Sequence, residues 1–159
     1  MNINVIEWND QYAQDFITLS VEWLEKYVRV EAADEFILYH PHESILNNEG
    51  MIFFANHNGK NIGTVSMIHM NDDIYELAKL AVTESYKGQH IGDLLMEKAI
   101  SFARKKGAKK IILYTNSRLI PAIHLYKKHG FNIVPLIDNE YEESDMKMEL
   151  YLDKKENES

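Results

Sequence analysis

Residues 74–103 read IYELAKLAVTESYKGQHIGDLLMEKAISFA, and the junction in their middle, YKGQHIGD at 86–93, decides how the chain folds. Before the junction, IYELAKLAV predicts a strand ending at Val82. After it, Ile91, Leu94, Leu95, Ala99, Phe102 and Ala103 recur at helical spacing on one face, and Gly107 suits the end of that helix. The first amides of such a helix have no partner inside it and lie at its positive end. Gly88 and Gly92 let the backbone approach an anion with no Cβ in the way. Glycines also serve simple packing turns, so the junction alone leaves a phosphate cradle and a tight turn both open.

Outward from the junction, the hydrophobic period alternates between strand and helix. Residues 2–7 predict a strand, and Asn9 or Asp10 can cap a helix over 10–29. Its apolar residues Phe16, Leu19, Val21, Leu24 and Val28 form no single stripe, which predicts a broken helix or one covered from two sides. A short helix is expected near 42–46, after Pro41. MIFFAN, the HNGK turn and NIGTVSMIHM read as a hairpin with Asn58-Gly59 at its tip. KKIILYT at 109–115 is a buried strand, and Pro121 opens a helix that runs to Gly130. FNIVPLI at 131–137 and DMKMELYL at 145–152 are the last strands. This order predicts an α/β (α+β) fold, with a largely antiparallel sheet flanked by helices and a β-α-β unit at 75–115 in its centre.

A chain of 159 residues is about one domain, here 1–153, with a polar tail at 154–159 expected to be disordered. Its 45% hydrophobic and 26% charged residues are those of a globular protein, and no apolar run approaches the ~20 residues of a membrane span. MNINVIEWND lacks the basic and apolar regions of a secretory leader. There is no cysteine, which excludes disulfides, thiolate metal sites and a cysteine nucleophile; a cytoplasmic location is expected. The net charge of −8 disfavours nucleic acid and anionic membranes.

A second segment, PAIHLYKKHGF at 121–131, sharpens the reading. Together with LAKLAVTESYKGQHIG it resembles the GNAT superfamily of acyl-CoA-dependent N-acetyltransferases. The first piece is similar to that family's pyrophosphate motif Q/R-x-x-G-x-G/A, here Lys87-Gly88-Gln89-His90-Ile91-Gly92, and the second to its A-x-x-L-Y-x-x-x-G-F motif. Lys87 stands where the family has Gln or Arg and keeps a positive charge. His90 stands in place of the first motif glycine, and it fits if its φ is negative and only its amide faces the phosphate. Leu119 occupies the position of a family asparagine, and the nearest asparagine is Asn116. The resemblance covers about residues 2–152. It implies the GNAT fold: a mixed, twisted sheet of about seven strands flanked by about four helices, with a splay between strands 4 and 5.

The resemblance also implies a division of labour. Main-chain groups of Leu80, Ala81 and Val82 would pair with the pantetheine arm of acetyl-CoA. Amides from Gly88 through Asp93, among them Gln89, His90, Ile91 and Gly92, would hold the pyrophosphate, with Lys87 beside them and Asn116 as a further contact. Tyr126 matches the general acid. Glu76 is the best-placed base, with Tyr114 in reserve; its even spacing from Leu80 and Val82 predicts that all three share one face of the strand. Acetyl-CoA is the implied cosubstrate, and no metal or redox cofactor is expected. His40-Pro41-His42-Glu43 reads as a loop, and His69, His124 and His129 as surface or packing residues. Glu22, Glu25, Glu31, Asp34 and Glu35 read as a solvated face, although the family's first helices and the segment at DNEYEES border an acceptor pocket where a cationic amine would fit. The expected activity is acetyl transfer to a primary amine, with a small molecule favoured over a protein N-terminus or lysine. The alternative is a non-catalytic acyl-CoA-binding or interaction module. A generic nucleotide-phosphate binder is disfavoured, because no GKS/T signature follows the glycines. The exposed last strand could pair with a second subunit in a homodimer.

Overall fold

The apolar runs of the sequence assemble into one seven-stranded sheet in the order β1-β2-β3-β4-β5-β7-β6. The strands are β1 Ile3–Glu7, β2 Met51–His57, β3 Lys60–Asn71, β4 Ile74–Val82, β5 Lys110–Thr115, β6 Asn132–Val134 and β7 Met146–Tyr151. This computed structural model describes residues 2–137 and 142–152; the tail at 154–159 and residues 138–141 of DNEYEES lie outside them. Every pairing is antiparallel except that of β4 with β5, the two ends of the β-α-β unit.

Five helices cover the two faces: α1 Ala13–Tyr27, α2 Ala32–Tyr39, α3 Pro41–Ser44, α4 Ile91–Lys105 and α5 Ile120–Lys128. Strand β2 shows how the layers divide. Phe54 points with Ile52 into a cluster with Phe16 and Leu19 of α1 and Leu38 of α2. Phe53 points the other way, into a cluster with Leu95, Met96 and Ala99 of α4. A strand covered on both faces reads as a continuous apolar run, which is why MIFFA lacks polar alternation. Among the described residues, no helix is long and apolar enough to cross a membrane.

The region 10–46 departs from the expectation. Asn9 does cap, its side chain accepting the Gln11 amide at 3.0 Å, but it caps a single 3-10 turn at Asp10–Tyr12 that leads into α1. The helix then stops at Tyr27, and α2 follows as a separate element that hydrophobic spacing did not reveal. Its start is a capping box made of two acids: Asp34 accepts the Glu31 amide, and the Glu31 side chain accepts an amide of the first turn. The acidic stretch is therefore not simply a solvated face, since Asp34 is buried. At the other end, β6 has only three residues, because Pro135 has no N–H to donate to a neighbouring strand.

Two irregularities in β4 shape everything near the junction. First, Ala78 pairs with Ser66 and Ala81 with Thr64, so Lys79 and Leu80 together oppose the single residue Val65. This is a β-bulge, and Lys79 takes a left-handed φ of 55° in it. The bulge reverses the alternation. Glu76 pairs with Ile68, which packs under α1 and α2, whereas Leu80 and Val82 pack with the cluster under α4. The expectation that Glu76 shares a face with Leu80 and Val82 is thus overturned. Second, β4 pairs with β5 only from Ile74 to Glu76, against Lys110 to Ile112, and the two strands separate beyond that point.

Candidate functional site

The separation of β4 from β5 opens two cavities that share walls. The outer one, a cleft of about 460 Å³, runs from Leu80, Ala81 and Val82 past Gly88 and His90–Asp93 to Tyr126 on α5. The inner one, about 100 Å³, lies toward α1 and α2 and includes Glu76, Lys79, Tyr114 and Asn116 in its walls. Trp23, Leu80, Ala81, Leu119 and Tyr126 line both.

At the far end of the outer cleft the chain turns into α4. Gly88 has a φ of 81°, and α4 begins after His90 with no side-chain cap on its first amides. Those amides remain available to an anion. A Cβ on Gly92 would stand 3.1 Å from Leu125 Cδ2, so this glycine also lets α5 approach α4 closely. His90 has a φ of 64°, so the condition of a negative φ is not met. It adopts the left-handed conformation that a glycine at this position would take without strain, and histidine is among the side chains that tolerate it best. Lys87 reaches toward α1, where its Nζ donates to the Tyr27 hydroxyl at 3.2 Å and lies 4.7 Å from the centre of that ring.

Asp93 sits in the first turn of α4, where a carboxylate would compete with a bound anion. Its oxygens are taken up by α5 and its C-terminal cap: Oδ1 lies 2.9 Å from Lys128 Nζ and 2.8 Å from His129 Nε2, while Oδ2 lies 3.2 Å from His90 Nδ1. Burial pushes its pKa up, but hydrogen bonds from Lys128, His129 and His90 outweigh that and hold it down at about 2. Gln89 lies outside the outer cleft, in a shallow groove beside Asn2 and Lys128.

At the inner end, two side chains approach the gap from opposite faces of the sheet. Tyr126 packs with the α4-side cluster and is 8% exposed. Burial pushes its phenol up to about 12, so the hydroxyl keeps its proton at neutral pH. Glu76, 5% exposed, comes from the α1/α2 face, with Tyr114 on the neighbouring strand. Asn116 lines the inner cavity and not the outer cleft. Its Nδ2 donates to the Glu143 carbonyl, and its Oδ1 accepts from Arg118 N at 2.9 Å and Nε at 3.0 Å, so it braces two loops.

Several wall residues escaped the sequence reading. Trp23 and Tyr27 on α1 lie with ring centres 5.2 Å apart, tilted by 42°, and face the outer cleft; their spacing of four on a helix is a legible signal. Arg118 is a cation at the same cleft. The ion pair of Lys79 with Asp34, 45 positions apart in sequence, left no local trace. Of the histidines, His42 bonds Asp10 and His69 lies 3.5 Å from Asp72. Among the described residues, no group of three or more His, Asp or Glu side chains could hold a metal ion.

Comparison with known proteins gives a consistent picture. Residues 7–131 match the model of the acetyltransferase (GNAT) family. The mycothiol acetyltransferase of Corynebacterium glutamicum strain R is 31% identical over 61 residues, which span 38% of this chain but only 21% of that protein. A GNAT-family acetyltransferase from Staphylococcus aureus Mu50 superposes with a TM-score of 0.86 at 22% identity, over 96% of this chain and 100% of its own. The PaiA N-acetyltransferase of Thermoplasma acidophilum, solved in complex with coenzyme A, superposes with a TM-score of 0.73 at 19% identity, over 96% of this chain and 100% of that one.

Two outcomes follow from the helix start. His90→Gly is expected to raise stability by up to about 1 kcal/mol by removing left-handed strain. A lower urea midpoint would mean that the His90 contact with Asp93 outweighs the strain. The folded-state value of Asp93 lies below the ordinary 3.8. Its contribution is therefore full above about pH 4 and is lost as pH falls toward 2. Asp93→Asn should flatten that acid limb, a change of roughly 2 kcal/mol at most, read from unfolding free energies between pH 2 and 5.

Proposed function

Because this chain belongs to the acetyltransferase (GNAT) family, we propose that it transfers an acetyl group from acetyl-CoA to a primary amine, and that the acceptor is a small molecule. The observation that carries the reading is the parting of β4 from β5 beside an uncapped helix start, with Tyr126 and Glu76 brought to the gap from opposite faces. The unpaired edge of β4 at Leu80, Ala81 and Val82 suits the amide-bearing pantetheine arm, which can add to it as a short strand would. The helix start at Gly88 to Asp93 suits the pyrophosphate through backbone amides, a role in which His90 need offer no side chain.

The chemistry then divides between the two faces. The amine enters from the inner cavity, whose 100 Å³ admits only a small group at the point of reaction. Glu76 accepts the proton that the amine sheds, directly or through water. A backbone amide near Leu80 polarises the thioester carbonyl as negative charge develops on its oxygen. The amine nitrogen attacks the carbonyl carbon, the new carbon–nitrogen bond replaces the carbon–sulfur bond, and Tyr126 gives its proton to the departing thiolate. Tyr126 is a phenol that keeps its proton at neutral pH, which is compatible with the donor role.

The first test is thermal unfolding with saturating acetyl-CoA, with ATP and NAD as controls. Ligand at about 100 times its Kd should stabilise the fold by about 2.7 kcal/mol. A rise with acetyl-CoA alone, followed by CoA release with an amine from a small-molecule panel, supports the reading. A rise without CoA release from any amine supports a non-catalytic binding module, and no rise sinks the acetyl-CoA reading altogether. Tyr126→Phe is expected to lower kcat by about 10²-fold with acetyl-CoA affinity nearly unchanged. Glu76→Gln should remove the ascending acid-side limb of the kcat/KM profile; an intact limb would transfer the base role to Tyr114 or to water.

A further inference from the structure

We propose that Asp34 and Lys79 are positioning residues, whose ion pair holds the β4 bulge in the conformation that polarises the thioester carbonyl. The proposal rests on the acetyl-CoA reading above, but it concerns residues that reading leaves without a role.

The bulge lies at the junction of the two cavities, where Lys79 and Leu80 together face the single residue Val65 of β3. Two residues against one break the regular repeat of the ladder, so the ladder alone does not fix the backbone at Leu80, which lines both cavities. Lys79 has a φ of 55° in the middle of a strand, where a long L side chain is strained and glycine would be the easy choice. Something outside the strand must therefore keep it there. The Lys79 ammonium donates to Asp34 Oδ1 at 2.5 Å, with the two side chains only 7% and 4% exposed.

A buried ion pair is a poor way to gain stability, because desolvation offsets most of the attraction. It is a good way to fix geometry, and this one is anchored on its far side. Asp34 Oδ2 accepts the Glu31 amide at 2.9 Å. The Glu31 carboxylate in turn accepts the amides of Glu142 and Glu143 at 2.7 and 2.9 Å. A continuous polar chain thus runs from the bulge, through the start of α2, to the loop that Asn116 braces. Its members Lys79, Asp34, Glu31 and Glu143 all line the inner cavity. The wall that meets the acceptor and the strand that meets the thioester are one connected structure.

The test uses acetyl-CoA labelled with ¹³C at the carbonyl, bound to the intact protein. In the wild type the bound carbonyl resonance should move downfield of the free value, as polarisation requires. Lys79→Met keeps the length of the side chain without its charge, and Asp34→Asn keeps the shape of its partner. Each is expected to return the resonance toward the free value and to weaken acetyl-CoA about fivefold, as for the loss of one hydrogen bond, while CoA affinity stays within about twofold. A merely structural role would lower both affinities together, or the melting point alone. Should a single variant fail to fold because one buried charge is left alone, the double variant Asp34→Asn/Lys79→Met removes both charges and carries the same expectation. A folded variant with the wild-type carbonyl resonance and the wild-type ratio of affinities overturns the proposal. A wild type that binds neither CoA nor acetyl-CoA overturns the functional reading instead, and does so before any substitution is made.

Discussion

The structure depends on a backbone hydrogen-bonding constraint: β5 cannot stay paired with both of its neighbours. It keeps β7 along its whole length, from Lys110 opposite Tyr151 to Thr115 opposite Met146, and it leaves β4 after Glu76. The sheet is therefore two half-sheets hinged at one end, β1 to β4 on one side and β5 to β7 on the other. Backbone groups along the facing edges lack the partners that a closed sheet would supply, and buried groups of that kind are costly when unmet. An extended ligand bearing amides would satisfy them in the way a missing strand would. The gap also passes through the sheet, so side chains of both layers reach it. That is how Glu76 and Tyr126, which belong to different clusters, come to face the same space.

Charge at the phosphate end obeys a similar economy. The chain carries a net charge of −8, and its first α4 turn contains an acid, yet the site proposed above is for an anion. The conflict is resolved locally. Lys128, in the last turn of α5, and His129, which caps its end, sit where the dipole of α5 is negative and cations are favoured, and they take up the Asp93 carboxylate. Asp93 thereby ties the start of one helix to the end of another, and the helix amides are left to the ligand. Gly92 makes the same contact possible from the other side by letting Leu125 approach.

What the sequence revealed and what it hid follow a physical division. The strand-turn-helix at 74–105 and the helix ending at Gly130 were legible because their signals are local: hydrophobic period, glycine at helix ends, proline at a first turn. The hairpin tip at Asn58-Gly59 was legible for the same reason, and both residues do take positive φ. The split between α1 and α2 was hidden because Glu31 and Asp34 read as ordinary surface charge until their capping partners are seen. The face on which Glu76 lies was misread because even spacing implies a shared face only in an unbroken strand, and a bulge adds one residue between Ala78 and Ala81. Asn116 was placed at the cofactor on proximity in sequence, whereas its side chain is committed to the 118 and 143 loops. Tyr126, by contrast, lines both cavities.

Positive φ in a residue other than glycine is not by itself a mark of a site. Glu49 and Asn58 adopt it as well, one at the end of a 3-10 turn and one in a hairpin, where local geometry calls for it. Lys79 differs because it lies within a strand, with no turn to demand the conformation. A strained residue of this kind persists only when its surroundings determine it more strongly than its own preference does. Here the surroundings are a carboxylate on a helix of the opposite layer, held in place by the backbone of that helix. Removing the ion pair would weaken that restraint, and a regular ladder would become an easier path for β4. A regular ladder would bring Leu80 back into register with β3 and move its backbone away from the gap. The shape of the bulge and the burial of two charges are thus a single feature, and neither is explained without the other.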